Sequence, residues 1–322
     1  MIGTKAAVLA DLMQAGFRVP AGFVVTTKAA RSFFQAQDLD SVVCRLLRRH
    51  NALRSDMLVK TARSIRTLIM SSRMPAAVAR EVAQRMAMLG TRRVAVRSSA
   101  LHEDLSRRSL AGLFDSFLNV KRSAVLSIIK RCWASAFSAR ALAYYANSRS
   151  AIERFDMPVL VQLLVPAQVS GVCFTTDPRS FGRRTVIIEA CYGLAEGLVG
   201  GRLTPDRYVL SRRTGQLIET RVSSQTHMLS LGATFALQKT VARHLRERAK
   251  LSPAQAMRLM SLCVAIADRY GVPQDVEWVL ARRHFFIVQS RPITTLCTSR
   301  GIRAVGARVH RPSRSGFDEK RH

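Results

Sequence analysis

Apolar residues recur along this chain in two periods, and the switches between them mark out its elements. Val8, Leu9 and Leu12 fall on one face of a helix that opens after Gly3-Thr4-Lys5 and closes at Gly16. Val19-Pro20-Ala21-Gly22 then turns into a strand through Phe23-Val24-Val25. Residues 28–90 read as helices over 29–37, 41–49, 58–69 and 75–89, with Pro75 suited to a first helical turn and Gly90 to a stop. Met86 and Met88 in the last of these read as core. Val94-Ala95-Val96 is a buried strand end, and a second strand follows near 111–118. One long amphipathic helix is predicted over 124–145, with Ile128, Ile129, Cys132, Trp133, Ala136 and Phe137 on its apolar face. After a connector at 146–157, residues 157–166 are apolar almost throughout and read as a buried strand. Strands at 170–178, 186–190 and from 204 surround a glycine-rich turn at 193–201. The stretch 251–270 is helical, with Leu259, Leu262, Cys263 and Ile266 inward. Residues 273–294 form a β-hairpin about the dibasic turn Arg282-Arg283. Beyond Leu296 the chain turns polar and basic, and disorder is expected over 297–322.

Composition narrows the class. A chain of 322 residues accommodates one large mixed domain or two medium ones. No apolar run approaches the roughly 18 residues of a membrane span, and the first residues lack the apolar core of a signal peptide. The six cysteines show neither paired nor metal-type spacing, so they read as reduced, mostly buried thiols of a cytoplasmic protein. The net charge of +30 would fit a polyanion partner. The arginines are scattered in pairs, however, and aromatic residues are not interleaved for base stacking. Specific nucleic-acid recognition is therefore not expected, and duplex DNA binding should collapse between low and physiological salt.

Four places carry candidate chemistry. Arg97 stands at the mouth of a strand, followed by Ser98 and Ser99; its guanidinium is a rigid fork of donors suited to phosphate oxygens, or equally to a salt bridge. Beyond the intervening loop, Gly112 permits close backbone approach and Ser116 offers a hydroxyl. Lys5 opens the first helix, where an ammonium and free N–H groups can meet an anion; the plain alternative is a surface lysine. Gln162, the one amide of its strand, needs a partner, either an adenine edge or a backbone group. In the hairpin, Glu277 and Gln289 alternate with apolar residues and can share a face. A carboxylate and an amide oxygen together make hard ligands for Mg²⁺. Arg291 lies two residues beyond Gln289, and a Glu277–Arg291 salt bridge is the competing reading.

These segments resemble the N-terminal nucleotide-binding domain of pyruvate phosphate dikinase, phosphoenolpyruvate synthase and rifampicin phosphotransferase. The resemblance runs from Gly3 to Thr295 and rests on ordered blocks: Gly3-Thr4-Lys5, Val19 to Thr26, Val96 to Asp104, Ala111 to Val120, Ser170 to Pro178, Glu189-Ala190, Gly193 to Val199, Pro205 to Tyr208, Asp275 to Trp278 and Gln289 to Thr294. It implies an ATP-grasp-like α+β fold of two lobes, about 1–155 and 156–296, with ATP in the cleft between them. Carried over by position, the resemblance implies ATP contacts from Lys5, Arg97, Gly112, Ser116, Gln162, Glu277, Gln289 and Arg291. Lys5 and Arg97 would hold phosphates, with Arg291 alongside them as the catalytic cations. Gly112 and Ser116 would form the loop over the phosphates, and Gln162 would lie near the base. Glu277 and Gln289 would hold Mg²⁺. Thr4 replaces the family's second glycine, Leu113 stands where the family has Gln, and Arg107-Arg108 replace a more acidic pair.

Enzymes of this kind pass phosphate from ATP to a histidine on a swivelling domain. None of His50, His102, His227, His244, His284, His310 or His322 lies in the glycine-rich context of that histidine. The expected activity is therefore ATP-dependent phosphoryl transfer to a phosphohistidine carrier on a separate domain or protein. A rifampicin phosphotransferase-type ATP domain and a non-catalytic nucleotide-binding module or truncated enzyme are the alternatives.

Overall fold

The apolar runs become the middles of two antiparallel sheets, and the helical stretches cover them. The computed structural model describes residues 1–49, 55–91, 93–100, 114–148, 156–178, 184–199, 201, 203–231 and 236–293. The fold is α+β. The first part of the chain runs α1 (Thr4–Gln14), β1 (Gly22–Val25), α2 (Thr27–Gln35), α3 (Leu39–Arg49), α4 (Ser55–Ser71), α5 (Ala76–Met88), β2 (Arg93–Ser98), β3 (Ser116–Lys121), α6 (Val125–Ser135), α7 (Ala139–Ser148) and β4 (Val159–Leu163). There follow β5 (Val169–Phe174), β6 (Thr185–Tyr192), α8 (Glu196–Val199), β7 (Asp206–Ser211), β8 (Leu217–Arg221), β9 (His227–Leu231), β10 (Ala236–Thr240), α9 (Pro253–Tyr270), β11 (Gln274–Ala281) and β12 (His284–Pro292). Gly112 and the 297–322 tail lie outside the described residues.

The first sheet has the order β1-β4-β2-β3. One face carries Val25, Val94, Val96, Val120, Val159 and Val161 into a core with Phe33, Phe34, Ile65, Ile129 and Trp133. β-Branched residues favour strands, and this face gains from removing their surface from water. The Trp133 indole N–H donates to the Met157 carbonyl at 3.0 Å, so its one polar atom is satisfied in the core. Met86 joins this core, whereas Met88 is exposed.

The single long helix expected over 124–145 is two. The Ala136 and Phe137 N–H groups bond to carbonyls three residues back, which tightens the last turn of α6. Ser138 then starts α7, its hydroxyl accepting from the Ala141 N–H at 3.2 Å. The apolar positions stay in register with the core across the break: Ala136 and Phe137 are both buried.

The second sheet runs β12-β11-β5-β6-β7-β8. Val186, Ile188, Tyr208, Leu210, Val276, Trp278 and Ile287 pack beneath Leu259, Cys263 and Ile266 of α9. α9 begins with a reciprocal Ser252–Gln255 capping box and Pro253, and ends at Gly271 with φ 67°. The sheet edge at β8 is mostly exposed, and so carries no apolar alternation from which a strand could be read.

The chain does not change sheets at one point. β4, beyond residue 155, lies between β1 and β2. α1 touches both sheets: Ala6 and Leu9 pack on Leu160, while Leu12 is buried in the second core. Gly3 closes the start of α1 against β2, with φ 75°; a Cβ there would stand 1.7 Å from the Ser99 carbonyl oxygen, so only glycine fits.

The five described cysteines are free, and all but Cys44 are buried. Burial pushes the Cys191 thiol up to about 11 and raises Cys132 and Cys173 further, so these three are not thiolates near neutrality. Among the described residues no helix is long and apolar enough to cross a membrane.

Candidate functional site

Strand alternation divides β2 between two environments. Val94 and Val96 enter the first core, and Ala95 and Arg97 face the other way, opposite Gln162 and Leu160 of β4. From that face the Arg97 guanidinium reaches the second sheet. Its Nη1 donates to the Val288 carbonyl at 2.7 Å, and its Nη2 donates to Glu277 Oε2 at 2.8 Å. The pair is mostly enclosed, with side-chain exposures of 14% and 22%.

A bulge in the hairpin creates both acceptors' setting. Glu277 pairs with Gln289, but Trp278 pairs with Ile287, so Val288 is the extra residue on β12. Phe285 and Ile287 face the core of the second sheet. Without the bulge, Gln289 would continue that alternation inward. With it, Gln289 stands opposite Glu277 on the face away from the core, and the Val288 carbonyl is turned to Arg97.

The next pair along the hairpin is Asp275 with Arg291. Arg291 donates from Nε and Nη2 to Asp275 Oδ2 at 2.9 and 2.8 Å. The anticipated Glu277–Arg291 bridge does not form: Asp275 takes Arg291 and Glu277 takes Arg97. Burial raises the pKa of Asp275, against the lowering effect of Arg291. Two polar atoms in this cluster are buried without a hydrogen-bond partner, Arg97 Nε and Asp275 Oδ1. Buried polar groups are ordinarily paired, so this cluster holds one donor and one acceptor with hydrogen-bonding capacity to spare.

The remaining sequence candidates fall at different distances from this cluster. Ser116 is the cross-strand partner of Arg97, on the same sheet face, and is exposed. Lys5 Nζ lies 3.5 Å from the Ser98 carbonyl, at the start of α1. Gln162 shares Arg97's face, but its amide N–H donates to the Pro20 carbonyl at 2.9 Å, the backbone partner anticipated as one alternative. Ser99 is a clamp for α1: its hydroxyl accepts from the Ala6 N–H and donates to the Ile2 carbonyl. The Ser99 N–H is also taken, by the Pro158 carbonyl. Asp275 escaped the sequence reading although a signal existed, since its two-residue spacing from Glu277 puts both acids on one strand face.

The donor set suits a small hard cation. Glu277 and Gln289 supply one carboxylate and one amide oxygen, and Mg²⁺ typically takes one or two carboxylates with phosphate and water completing the shell. No three His, Cys, Asp or Glu groups converge as a self-sufficient metal centre among the described residues. A cation here would thus share its shell with an anion held by Arg97.

Comparison with known proteins bears on which anion. Residues 1–306 match the family model for the pyruvate phosphate dikinase AMP/ATP-binding domain. The chain belongs to that family. Its relatives include a probable phosphoenolpyruvate synthase of Methanothermobacter thermautotrophicus, 36% identical over 91% of this chain and 44% of the relative. A rifampicin phosphotransferase of Streptomyces sviceus is 38% identical over 92% of this chain and 34% of its own length, and one of Bacillus subtilis 34% identical over the same shares. The chain therefore spans less than half the length of these relatives. Membership makes it an ATP-binding domain of the dikinase type.

Proposed function

We propose that this domain binds Mg-ATP at the seam between the two sheets and transfers phosphate to a carrier histidine on a separate domain or protein, in the cytoplasm. The observation that carries this reading is the meeting of Arg97 from the first sheet with Glu277 and Gln289 from the second, beside two unpaired buried polar atoms. In this reading the fold is ATP-grasp-like, with one lobe about 1–155 completed by β4, the other made of the rest to about 296, and the nucleotide in the cleft. Lys5, Arg97 and Arg291 hold phosphates and act on the transferring group. Gly112 and Ser116 belong to the loop over the phosphates, and Gln162 lies near the base. Glu277 and Gln289 hold Mg²⁺, which draws charge from the phosphate oxygens when bound.

Phosphoryl transfer asks little covalent chemistry of a protein. It asks for positioning and for cations where negative charge develops. Arg97 beside a carboxylate–amide pair, with Arg291 next along the hairpin, fits that demand. Relatives named as phosphoenolpyruvate synthase and as rifampicin phosphotransferase are equally similar, so the reading extends to the ATP half-reaction and leaves the acceptor open. The test is incubation with β- and γ-labelled ATP, Mg²⁺ and a phosphohistidine domain from a relative. Label on the carrier histidine with AMP released is expected. Tight ATP binding with no labelled carrier would favour a non-catalytic nucleotide-binding module.

A further inference from the structure

The guanidinium of Arg97 is bound in an unusual way for this molecule. Arg269 and Arg291 both present the Nε–Nη2 edge to a carboxylate, so that both donors of the edge are used. Arg97 has the same edge, but only Nη2 is engaged, on one oxygen of Glu277, while Nε is buried and unpartnered. That edge is the one with which arginine grips two oxygens of a phosphate. Half of it is covered by the residue that would ligate the cation.

We infer that the Arg97–Glu277 pair is a latch that couples nucleotide binding to the cation: Glu277 withholds Arg97 from a metal-free polyphosphate and releases it when a divalent cation takes the carboxylate. The inference rests on the reading of this seam as the Mg-ATP site. Its physical basis is competition for one carboxylate. A polyphosphate arriving without a cation must displace Glu277 from Arg97 and leave that carboxylate mostly enclosed against added negative charge, which costs more than the new contact returns. When Glu277 turns to a cation, both losses vanish: the carboxylate keeps a positive partner, and the Nε–Nη2 edge of Arg97 is whole. The cation and the polyphosphate then raise each other's affinity beyond their direct contact, as reciprocal linkage requires. The latch also joins the sheets, because Arg97 leaves β2 and its acceptors lie on β11 and β12. Release at one bond therefore frees a contact between the halves of the site, while Val288 retains the other.

The experiment is calorimetric titration of ATP into wild type, Glu277→Gln and Arg97→Lys, each with Mg²⁺ and with EDTA, alongside thermal melts. A latch predicts an inversion. Glu277→Gln should bind metal-free ATP about tenfold more tightly than wild type, the factor represented by one charge-assisted hydrogen bond no longer to be displaced, while its gain from Mg²⁺ disappears. Weaker or unchanged metal-free binding by a folded Glu277→Gln would overturn the latch; because a carboxylate that only ligates metal also repels metal-free ATP, tighter binding counts for the latch only together with the Arg97→Lys result. Arg97→Lys provides a separate arm: its loss of affinity should be confined to the Mg²⁺ titration, because in EDTA the wild-type guanidinium is already withheld. An equal loss in both titrations would also overturn the latch. Wild type that binds no ATP even with Mg²⁺ would overturn the site reading itself, and the latch with it.

Discussion

Two ion pairs in this protein look alike in a list of contacts and differ in almost every physical respect. Lys250–Asp206 is wholly enclosed, with neither side chain exposed to solvent. Its carboxylate accepts from Lys250 Nζ, the backbone N–H groups of Ser223 and Lys250, and the Tyr208 hydroxyl. The ammonium also donates to the Ser223 carbonyl and stands 5.4 Å from the Tyr192 ring centre. Arg97–Glu277 joins two sheets, retains some exposure and leaves a buried N–H unused. Complete satisfaction indicates a pair whose work is to hold one arrangement. Incomplete satisfaction at a seam between two sheets is what the proposed exchange of partners requires. The contrast is sharper than burial alone, which would rank the first pair above the second as a candidate site.

Mutation can break the comparison in order of expected effect. Asp206→Ala leaves an ammonium buried without its counter-charge, and should cost about 3–5 kcal/mol. Denaturant melts should show this as a lower midpoint, and a shift near zero would mean that the network is looser than its geometry. Arg97→Lys should do the reverse, leaving the melt nearly intact but weakening Mg-ATP binding by about one to two decades, since each charge-assisted bond is worth roughly 1.5–3 kcal/mol. Adenosine, which has no phosphates, should bind both forms alike. Equal losses for ATP and adenosine would make Arg97 a bracing residue like Lys250. The smallest effect belongs to the hairpin turn, where Arg282 and Arg283 adopt φ values of 48° and 66°. Left-handed backbone costs a non-glycine residue roughly 1 kcal/mol, and an asparagine followed by a glycine is the pair that such turns favour. The double variant Arg282→Asn, Arg283→Gly should raise the melting temperature slightly and leave ATP affinity unchanged. A change in affinity would bring the turn into the site.

Much of the site was legible because it lies in short, ordered motifs. Arg97 directly after Val94-Ala95-Val96 had its side-chain direction set by strand alternation, and a hairpin about Arg282-Arg283 was legible, although its regular two-residue register would have set Glu277 opposite Val288. Gln162 was legible as an amide in need of a partner, but its sequence could not choose between an adenine edge and Pro20. Ser99 read as a hydroxyl beside a phosphate site, whereas its environment makes it the clamp on the first turn of α1. A local pattern gives a group's capacity for hydrogen bonding, and only the neighbours it meets decide how that capacity is spent.

The sequence by itself determined the family, the order of most elements, the apolar faces and the residue types gathered for phosphate and cation. These depend on periodicity, turn chemistry and motif spacing, all of which are local. Tertiary structure alone decided that β4 inserts between β1 and β2, that the 124–145 stretch divides at Ser138, and that Asp275 rather than Glu277 takes Arg291. It also decided the bulge at Val288, which reverses the face of Gln289 and offers Arg97 its second acceptor. One extra residue in a ladder leaves no mark on composition or period, because it depends on how two strands twist past each other. That single slip carries Gln289 out of the core and sets it opposite Glu277.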